Sequence, residues 1–332
     1  MVRKSGAFFI ALIFLMLCGC GLAGDNSSYN NSGNSTAEKS GFPYTFTDST
    51  GSEVTLESRP ERVAVLFSSF AEMWGLAGGT TEITVGDSVE RGFAGEDAVL
   101  VNDGAGMKID TELLAASKPD FVIASADMSA QTKACEYMRK AGIPCAFFRE
   151  ETVDDYLKIL KIFTDITGNP EAYETYGTQL KNRVDEAIAE AGKLAGQAEN
   201  PVSVLFIRAG SGDSSTKAKT AKDHFVGIML EELGAVNIAD EAGALSEGLS
   251  LEHILVKQPD VILVVPQGDE AAAKAYMDSV FEQSGWRDLD AVKNGRFAYL
   301  PKELFHYKPN ARWDEAYRYL TGLLYPQEDK ND

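Results

Sequence analysis

The sequence predicts an α/β fold of two Rossmann-like lobes with parallel sheets, joined by a single long helix. Three observations support this prediction. Short apolar runs alternate with helical patterns, a weak internal repeat divides the chain into halves, and one long helical pattern lies between the halves. This alternation is typical of parallel sheets with right-handed crossovers, and the repeat indicates that the two lobes are similar.

The first residues read as an export signal. A basic start precedes an apolar run that ends at Leu17, and Cys18, Gly19 and Cys20 follow. The run is shorter than the about 20 apolar residues of a transmembrane helix, so we expect residues 1–19 to be removed as a signal peptide. The motif resembles a bacterial lipobox, in which a cysteine receives lipid, and the small Gly19 favours Cys20 as the acceptor. A plain signal peptide with incidental cysteines is the alternative.

Residues 20–41 are rich in Gly, Ser and Asn, which is typical of a flexible linker. A linker behind a lipid would let a folded domain reach away from the membrane. We therefore expect an extracytoplasmic protein that is anchored to the cell membrane by lipid on Cys20.

The charge of the chain excludes several classes of partner. It carries 31 basic and 50 acidic residues, a net charge of −19 at pH 7. Phosphate binding needs a basic face, so nucleic acid is not an expected partner. Adhesion to anionic headgroups is equally disfavoured, which leaves the lipid as the only expected membrane contact.

Two further cysteines, Cys135 and Cys145, flank a predicted helix-turn-strand. An exported protein can form disulfides, but a domain of this size does not need one. A disulfide and two buried free thiols both remain open.

The internal repeat gives the order of elements in each half. Glu112 lies 49 positions after Val63, and Glu252 lies 50 positions after Val202. Each glutamate is seven positions before a Pro-Asp pair, which ends a helix and starts a strand. The first half comprises a strand at Arg62–Phe67, a helix from Ala71 to Gly78 and the unit from Glu112 to Asp120; the second comprises a strand at Val202–Ile207, a helix at Phe225–Gly234 and the unit from Glu252 to Asp260.

Between the halves, a capping box at Thr152 predicts a helix that closes near Gly168. Asn169 and Pro170 then predict a second helix to about Leu194, roughly 37 Å long at 1.5 Å per residue. This connector should limit hinge motion. The predicted boundaries are 42–168 for the N-terminal lobe, 169–197 for the connector helix and 198–328 for the C-terminal lobe.

From about Phe42 to Pro326 the sequence resembles the substrate-binding proteins of ABC importers for iron-siderophores, haem and cobalamin, a group with one long helix between two lobes. The elements that carry the resemblance are Arg62-Val-Ala-Val-Leu with Glu72, the two Glu-x6-Pro-Asp units, Leu233-Gly234-Ala-Val-Asn237, and the stretch from Trp286 to Tyr299. The resemblance implies a monomeric receptor, not an enzyme, that has no intrinsic cofactor. It would capture a metal chelate or related cofactor, such as an iron-siderophore, haem or a corrinoid, and deliver it to an ABC permease and its ATPase.

In that family one acidic residue of each lobe docks onto arginines of the permease. The matching positions are Glu112 and Glu252. A carboxylate in the first turn of an exposed helix is favoured by the helix dipole and suits an arginine partner. Support of its own helix is the alternative role of each glutamate.

The ligand should lie at the carboxyl ends of the strands, where a cleft between two lobes would form. Arginine suits carboxylates and phosphates, and aromatic rings stack on flat ligands. The residues predicted to bind ligand are Ser68, Ser69, Phe70, Arg91, Phe93, Ser125, Asp127, Met128 and Arg149 in the first lobe, and Arg208, Ser211, Pro266, Gln267, Phe305, His306, Tyr307, Lys308, Arg312 and Trp313 in the second. Taken singly, Phe93, Phe305 and Trp313 suit a core position as well.

The three histidines do not predict a protein metal site, which needs three or four converging ligands. His253 is expected at the surface, and His224 beside a helix start. His306 alone is expected in a cleft loop, where it could approach a haem iron or hydrogen-bond a chelate. Met128 or Met107 would be a second axial ligand.

Two other functions stay open. Ser68, Ser69 and His306 could form a nucleophile and base of a surface-anchored hydrolase, although the sequence has no Gly-x-Ser-x-Gly elbow. A sensor lipoprotein without a cognate permease is the other alternative.

Overall fold

The structure, a computed structural model, describes residues 41–241 and 250–326. The strands are β1 (Tyr44–Thr47), β2 (Glu53–Leu56), β3 (Val63–Val65), β4 (Ile83–Thr84), β5 (Val99–Leu100), β6 (Phe121–Ser125), β7 (Cys145–Phe148), β8 (Ser203–Ala209), β9 (Lys217–Ala218), β10 (Val236–Asn237), β11 (Val261–Pro266) and β12 (Phe297–Tyr299). The helices are α1 (Ser68–Leu76), α2 (Gly86–Glu90), α3 (Thr111–Ala116), α4 (Ser129–Lys140), α5 (Val153–Thr167), α6 (Pro170–Tyr173), α7 (Gln179–Ala195), α8 (Phe225–Glu232), α9 (Ile238–Glu241), α10 (Leu251–Lys257), α11 (Glu270–Phe281), α12 (Asp290–Lys293), α13 (Lys302–Phe305) and α14 (Trp313–Leu324). The predicted signal peptide and Cys20 lie outside the described residues.

Two separate sheets confirm the predicted α/β class. The first has the order β5-β4-β3-β6-β7 with every pair parallel. The second has the order β10-β8-β11-β12, also parallel, while β9 pairs antiparallel with β8. The equivalent pairs β3·β6 and β8·β11 lie at the centres of the two sheets, as the sequence repeat predicts. Below, the N-lobe and C-lobe denote the first and second sheet with their helices.

The aspartates of the two Pro-Asp pairs accept equivalent hydrogen bonds in the two lobes. Asp120 accepts hydrogen bonds from the backbone N–H groups of Glu61 and Arg62 just before β3, at 2.7 and 3.0 Å. Asp260 accepts from the backbone N–H and hydroxyl of Ser203 at the start of β8, at 2.8 and 2.6 Å. Each carboxylate therefore joins the start of its own strand to the start of the neighbouring strand.

The same two turns share a strained backbone. Lys118 and Gln258, each directly before the proline, have φ values of 51° and 45°. These are left-handed conformations in residues that carry a Cβ. The repeat therefore extends to backbone conformation, which no composition or periodicity would indicate.

The helices between the sheets follow the predicted pattern. Thr152 and the side chain of Asp155 form the expected capping box of α5, and Gly168 ends that helix at φ 71°. Asn169 caps α6 with Pro170 in its first turn. A π-helical turn at Glu174–Thr178 joins α6 to α7, so residues 170–195 form one continuous helical stretch. Its role as the single connector between lobes stays a prediction.

One apolar core lies beneath both sheets. It joins Val63 and Phe121 of the first sheet to Phe206 and Leu263 of the second. The buried faces of α5, α7, α8 and α14 complete it. Smaller clusters cover the opposite face of each sheet, packed under α4 in the N-lobe and under α11 in the C-lobe.

Cys135 and Cys145 are both buried free thiols, which confirms the second of the two alternatives. Cys145 Sγ lies 3.6 Å from the backbone carbonyl of Cys135. A hydrogen bond with the Cys145 side chain, together with burial, raises the pKa of Cys135 well above its ordinary value. Within the described ranges, every helix is too short or too polar to cross a membrane.

Candidate functional site

The predicted site residues of the two lobes meet where the C-lobe chain returns after β12. We call residues 303–313 the return segment. They contact α1, the end of α2 and the residues that follow β7. These are carboxyl-end positions of the first sheet, so the contacts form at the edge where ligands bind in open α/β sheets. We refer to this region as the cleft.

Arg91 is the most enclosed cation of the cleft on the N-lobe side. Its side chain is 10 % exposed, and its guanidinium lies 3.9 Å from the ring centroid of Tyr307 and 4.6 Å from that of Phe93. Nη1 donates to the Ser68 hydroxyl at 3.0 Å, and Nη2 lies 3.8 Å from Glu303, beyond hydrogen-bond distance. Nε is buried and has no hydrogen-bond partner among the described residues.

Arg208 lies at the carboxyl end of β8, on the C-lobe side. Its Nε is also buried and lacks a hydrogen-bond partner in the described part of the chain. Burial lowers the pKa of Arg208, because the charged form loses water without a compensating carboxylate. The cleft therefore contains one incompletely satisfied guanidinium from each lobe.

Two uncharged histidines accompany these arginines. Burial lowers the pKa of His306 to about 4, and the charges of Arg208, Lys302 and Arg91 lower it further. Its Nδ1 is buried without a hydrogen-bond partner among the described residues. Burial also holds the pKa of His224 well below its ordinary value. This histidine was expected beside a helix start, and its side chain accepts a hydrogen bond from the Val226 backbone as the N-cap of α8.

The other cations of the predicted site are paired with carboxylates. Lys308 lies 3.1 Å from Glu151 and over the ring of Phe225. Arg149 binds Asp127 at 2.6 Å in an exposed pair, which raises the pKa of Arg149. A paired cation offers less to a ligand than an unpaired one, because the ligand must first displace the carboxylate.

Arg312 is paired in the same way. It forms two hydrogen bonds of 2.8 Å with Glu315 and stays exposed. Its side chain is therefore already engaged by a carboxylate of α14.

Buried acids lie beneath the cleft, and sequence reasoning missed this group. Asn310 Nδ2 donates to the Ser69 carbonyl at 2.9 Å and to the Glu72 carboxylate at 2.7 Å. The Trp313 indole N–H donates to Glu150 at 3.2 Å. Burial raises the pKa of Glu72, and it raises the pKa of Glu150 to about 8, with a smaller contribution from the negative charge of Glu72.

These three hydrogen bonds link the N-lobe to the return segment. Asn310 adopts a left-handed φ of 51°, uncommon for a residue with a Cβ. In the sequence, the three-residue spacing of Ser69 and Glu72 indicates that they share one face of a helix, which is a signal for the N-lobe side of these contacts. No pattern distinguishes Glu150 from its exposed neighbours in sequence.

Three of the residues predicted to bind ligand are packed in the core. Phe70 is 1 % exposed and packs on Phe67 and Phe148, and Phe305 is fully buried against Tyr319. Trp313 is 1 % exposed and packs on Phe225 and Tyr317. Apolar residues that follow a strand suit a core and a cleft equally well. Here all three side chains belong to the core shared by the two sheets.

The remaining predicted residues lie at the expected strand ends. Ser125 accepts a hydrogen bond from the Asp127 backbone, Met128 Sδ accepts from Gln131, Ser211 is exposed, Pro266 is buried at the end of β11, and Gln267 donates to the Ser215 carbonyl. Met107 is 73 % exposed. Their part in ligand binding stays a prediction.

Glu112 and Glu252 occupy matching positions. Each lies exposed in the first turn of a short helix, α3 or α10. The helix is capped in each case by another residue, Asp110 in the N-lobe and Ser250 in the C-lobe. The glutamates are therefore not needed as caps, and their carboxylates face solvent.

A hydrolase or a metal site would depend on the serine hydroxyls and the possible metal ligands of the described residues. The Ser68 hydroxyl is bonded to Arg91, and Ser69 Oγ is buried without a partner, so neither hydroxyl meets a histidine in the described structure. The described residues contain no cluster of three or more His, Cys, Asp or Glu side chains placed to hold a metal ion. A cavity of about 240 Å³ between the second sheet and α11, lined by Ile207, Met277 and Trp286 among others, contains none of the predicted site residues.

Comparison with known proteins identifies related sequences and folds. The sequence model described as periplasmic binding protein matches residues 63–304. The uncharacterized ABC transporter substrate-binding lipoprotein YvrC of Bacillus subtilis is 24 % identical over 337 residues, 99 % of this chain and 100 % of that protein. A cobalamin-binding protein of Halobacterium salinarum is 29 % identical over 240 residues, 70 % of this chain and 62 % of that protein.

Solved structures share the fold. The apo haem-binding protein RhuT from Roseiflexus sp. RS-1 has a TM-score of 0.63 and 22 % identity, over 80 % of this chain and 98 % of that one. The haem-binding protein HmuT has a TM-score of 0.62 and 19 % identity, over 86 % of this chain and 91 % of that one. At this identity the likeness concerns the architecture of two sheets with helices between them.

Proposed function

The chain belongs to the periplasmic binding protein family, and from that premise we propose that it captures a metal chelate or related cofactor, such as haem, a corrinoid or an iron-siderophore, and delivers it to an ABC permease. Its relatives include proteins named for cobalamin binding and an ABC transporter lipoprotein. Capture would take place between the lobes, with limited closure around the helical stretch 170–195.

One observation carries the proposal. A protein with a net charge of −19 places Arg91 and Arg208, two uncharged histidines and the ring of Tyr307 at the carboxyl edge of its sheets. Cations suit the acidic groups of a chelate, rings suit a flat ligand, and an uncharged imidazole suits a metal.

Titration with a panel of chelates tests the proposal. We expect at least one of ferric haem, cyanocobalamin, ferric citrate and ferrioxamine to bind with a Kd of about 1 μM or tighter, measured by calorimetry and tryptophan fluorescence. Sugars and amino acids of similar charge serve as controls. If none of the chelates binds, the proposed ligand class is wrong, and binding of a control solute would indicate the class that replaces it.

Docking onto the permease would use Glu112 and Glu252. Both carboxylates are exposed, lie at helix starts that other residues cap, and belong to equivalent repeat positions. We expect the double variant Glu112→Arg and Glu252→Arg to lose uptake by cells while the purified protein keeps its affinity for ligand. Unchanged uptake would remove these residues from the docking surface, and a Glu57→Arg variant controls for charge reversal elsewhere.

The proposed receptor would be held at the membrane by lipid on Cys20, as the relative named a lipoprotein suggests. Mass analysis of the N-terminal peptide of the mature protein tests this anchor, since a diacylglyceryl group on Cys20 adds a defined mass. A free thiol at Cys20 would contradict it.

A further inference from the structure

The arginines of the cleft define which chemical groups the ligand must carry. Arg91 and Arg208 come from opposite lobes, and each has a buried Nε without a hydrogen-bond partner in the described ranges. Arg208 follows Phe206 by two positions on β8, so its side chain extends from the same face of the sheet as that residue of the shared core. The charges of both arginines also lower the pKa of His306. Buried polar groups are normally hydrogen-bonded, and those that are not call for an explanation such as an absent ligand.

Arg91 presents a single free edge. The rings of Phe93 and Tyr307 pack against its guanidinium, and Nη1 is engaged by Ser68. Nε and Nη2 together form the side of the guanidinium that matches the two oxygens of a carboxylate. Nη2 has only the 3.8 Å contact with Glu303, whose side chain is 59 % exposed. A carboxylate of the ligand can therefore replace that weak contact at little cost.

The position of Arg208 lowers the stability of the folded protein but suits the binding of an anion. It is half-buried at the end of β8, and among the described residues no carboxylate offsets the loss of water around its charge. Lys308 is already bound to Glu151 at 3.1 Å and cannot serve as the second anion receptor without breaking that pair. Arg208 therefore remains available to an anionic group of the ligand.

We propose that the ligand bears at least two carboxylates, one received side-on by Arg91 and the other by Arg208. This inference rests on the proposed function and narrows it. Among metal chelates, ferric haem with its two propionates and ferric citrate carry such groups. Cobalamin presents amides in their place, and ferrioxamine lacks carboxylates.

A matched pair of ligands tests the proposal. Ferric haem and its dimethyl ester share the ring and the iron and differ only in the two carboxylates. We expect either ferric haem or ferric citrate to bind, the dimethyl ester and cobalamin to bind at least about 100-fold more weakly, and each of Arg91→Gln and Arg208→Gln to weaken the anionic ligand about 10- to 100-fold. Arg91→Lys keeps the charge but loses the two-pronged edge, so it should not restore the affinity.

Controls separate binding from folding. Arg287→Gln removes an exposed charge of the C-lobe and should leave affinity unchanged. Thermal midpoints of all variants should stay close to that of the parent protein. If cobalamin or the dimethyl ester binds as tightly as the anionic chelates, or the arginine variants bind normally, this inference is overturned while the proposed function stands. If no chelate binds at all, both are overturned.

Discussion

Replacing Glu150 with glutamine is expected to stabilise the folded protein at alkaline pH by roughly 3–5 kcal/mol relative to the parent chain. Glu150 is 2 % exposed, and only the Trp313 indole donates to it, while its second oxygen has no partner among the described residues. Burial raises the pKa of its carboxyl from 4.5 to about 8. Glutamine keeps an acceptor for Trp313 and cannot ionise.

The direction of the pH effect follows from proton binding. Between about pH 4.5 and 8 the folded state holds a proton on Glu150 that the unfolded state has lost, so stability falls as the pH rises through this window. Urea unfolding at pH 5, 7 and 9 measures the effect. The glutamine variant should lose this part of the pH dependence, whereas Glu151→Gln, at the neighbouring pair with Lys308, should retain it. Parallel pH profiles for the parent chain and Glu150→Gln would show that Glu150 does not titrate as described.

Replacing Trp313 with alanine is expected to lower the free energy of unfolding by about 3–5 kcal/mol. The side chain is 1 % exposed, its ring lies 5.5 Å from that of Phe225, and its N–H is the hydrogen-bond donor to Glu150. The alanine variant loses the packing and also leaves a buried acid without its partner.

Trp313→Phe separates the loss of the hydrogen bond from the loss of packing, and Trp286→Ala serves as a control at another tryptophan. Trp313→Phe keeps most of the ring packing and removes the donor, so it should cost about 1–2 kcal/mol. Trp286→Ala, at a half-buried position of the C-lobe, should cost less than Trp313→Ala. Urea unfolding at pH 6, where Glu150 is protonated, measures all three. A loss below 1 kcal/mol for Trp313→Ala would mean that α14 does not close the core as described.

The repeat made the fold predictable. The spacing of Glu112 and Glu252 from the first strand of each half, and the Pro-Asp pair that follows each, correspond to elements that the structure repeats down to the hydrogen bonds of Asp120 and Asp260. The capping box at Thr152 and the left-handed Gly168 were local signals, and both operate as expected. Regular spacing and capping chemistry depend on neighbours in sequence, so they can be recognised without a structure.

The site was less predictable because it depends on contacts between distant residues. Phe70 and Trp313 follow the same apolar pattern as a cleft residue would, and only the position of the other lobe decides that they belong to the core. Glu150 lies between an exposed arginine and a paired glutamate, yet it alone is enclosed. Arg91 was predicted as a cleft cation from its place after a strand, but its free edge depends on the contacts with Ser68 and Tyr307 together.

The core shared by the two sheets has a thermodynamic consequence. Because Phe121 and Phe206 belong to one continuous apolar cluster, separating the lobes would tear that cluster open, whereas a small adjustment at the cleft edge leaves it intact. Ligand capture should then expose or bury little apolar surface of the protein itself. The heat-capacity change on binding should accordingly be small and set mainly by the apolar surface of the ligand, unlike that of a receptor that folds two lobes together around its cargo.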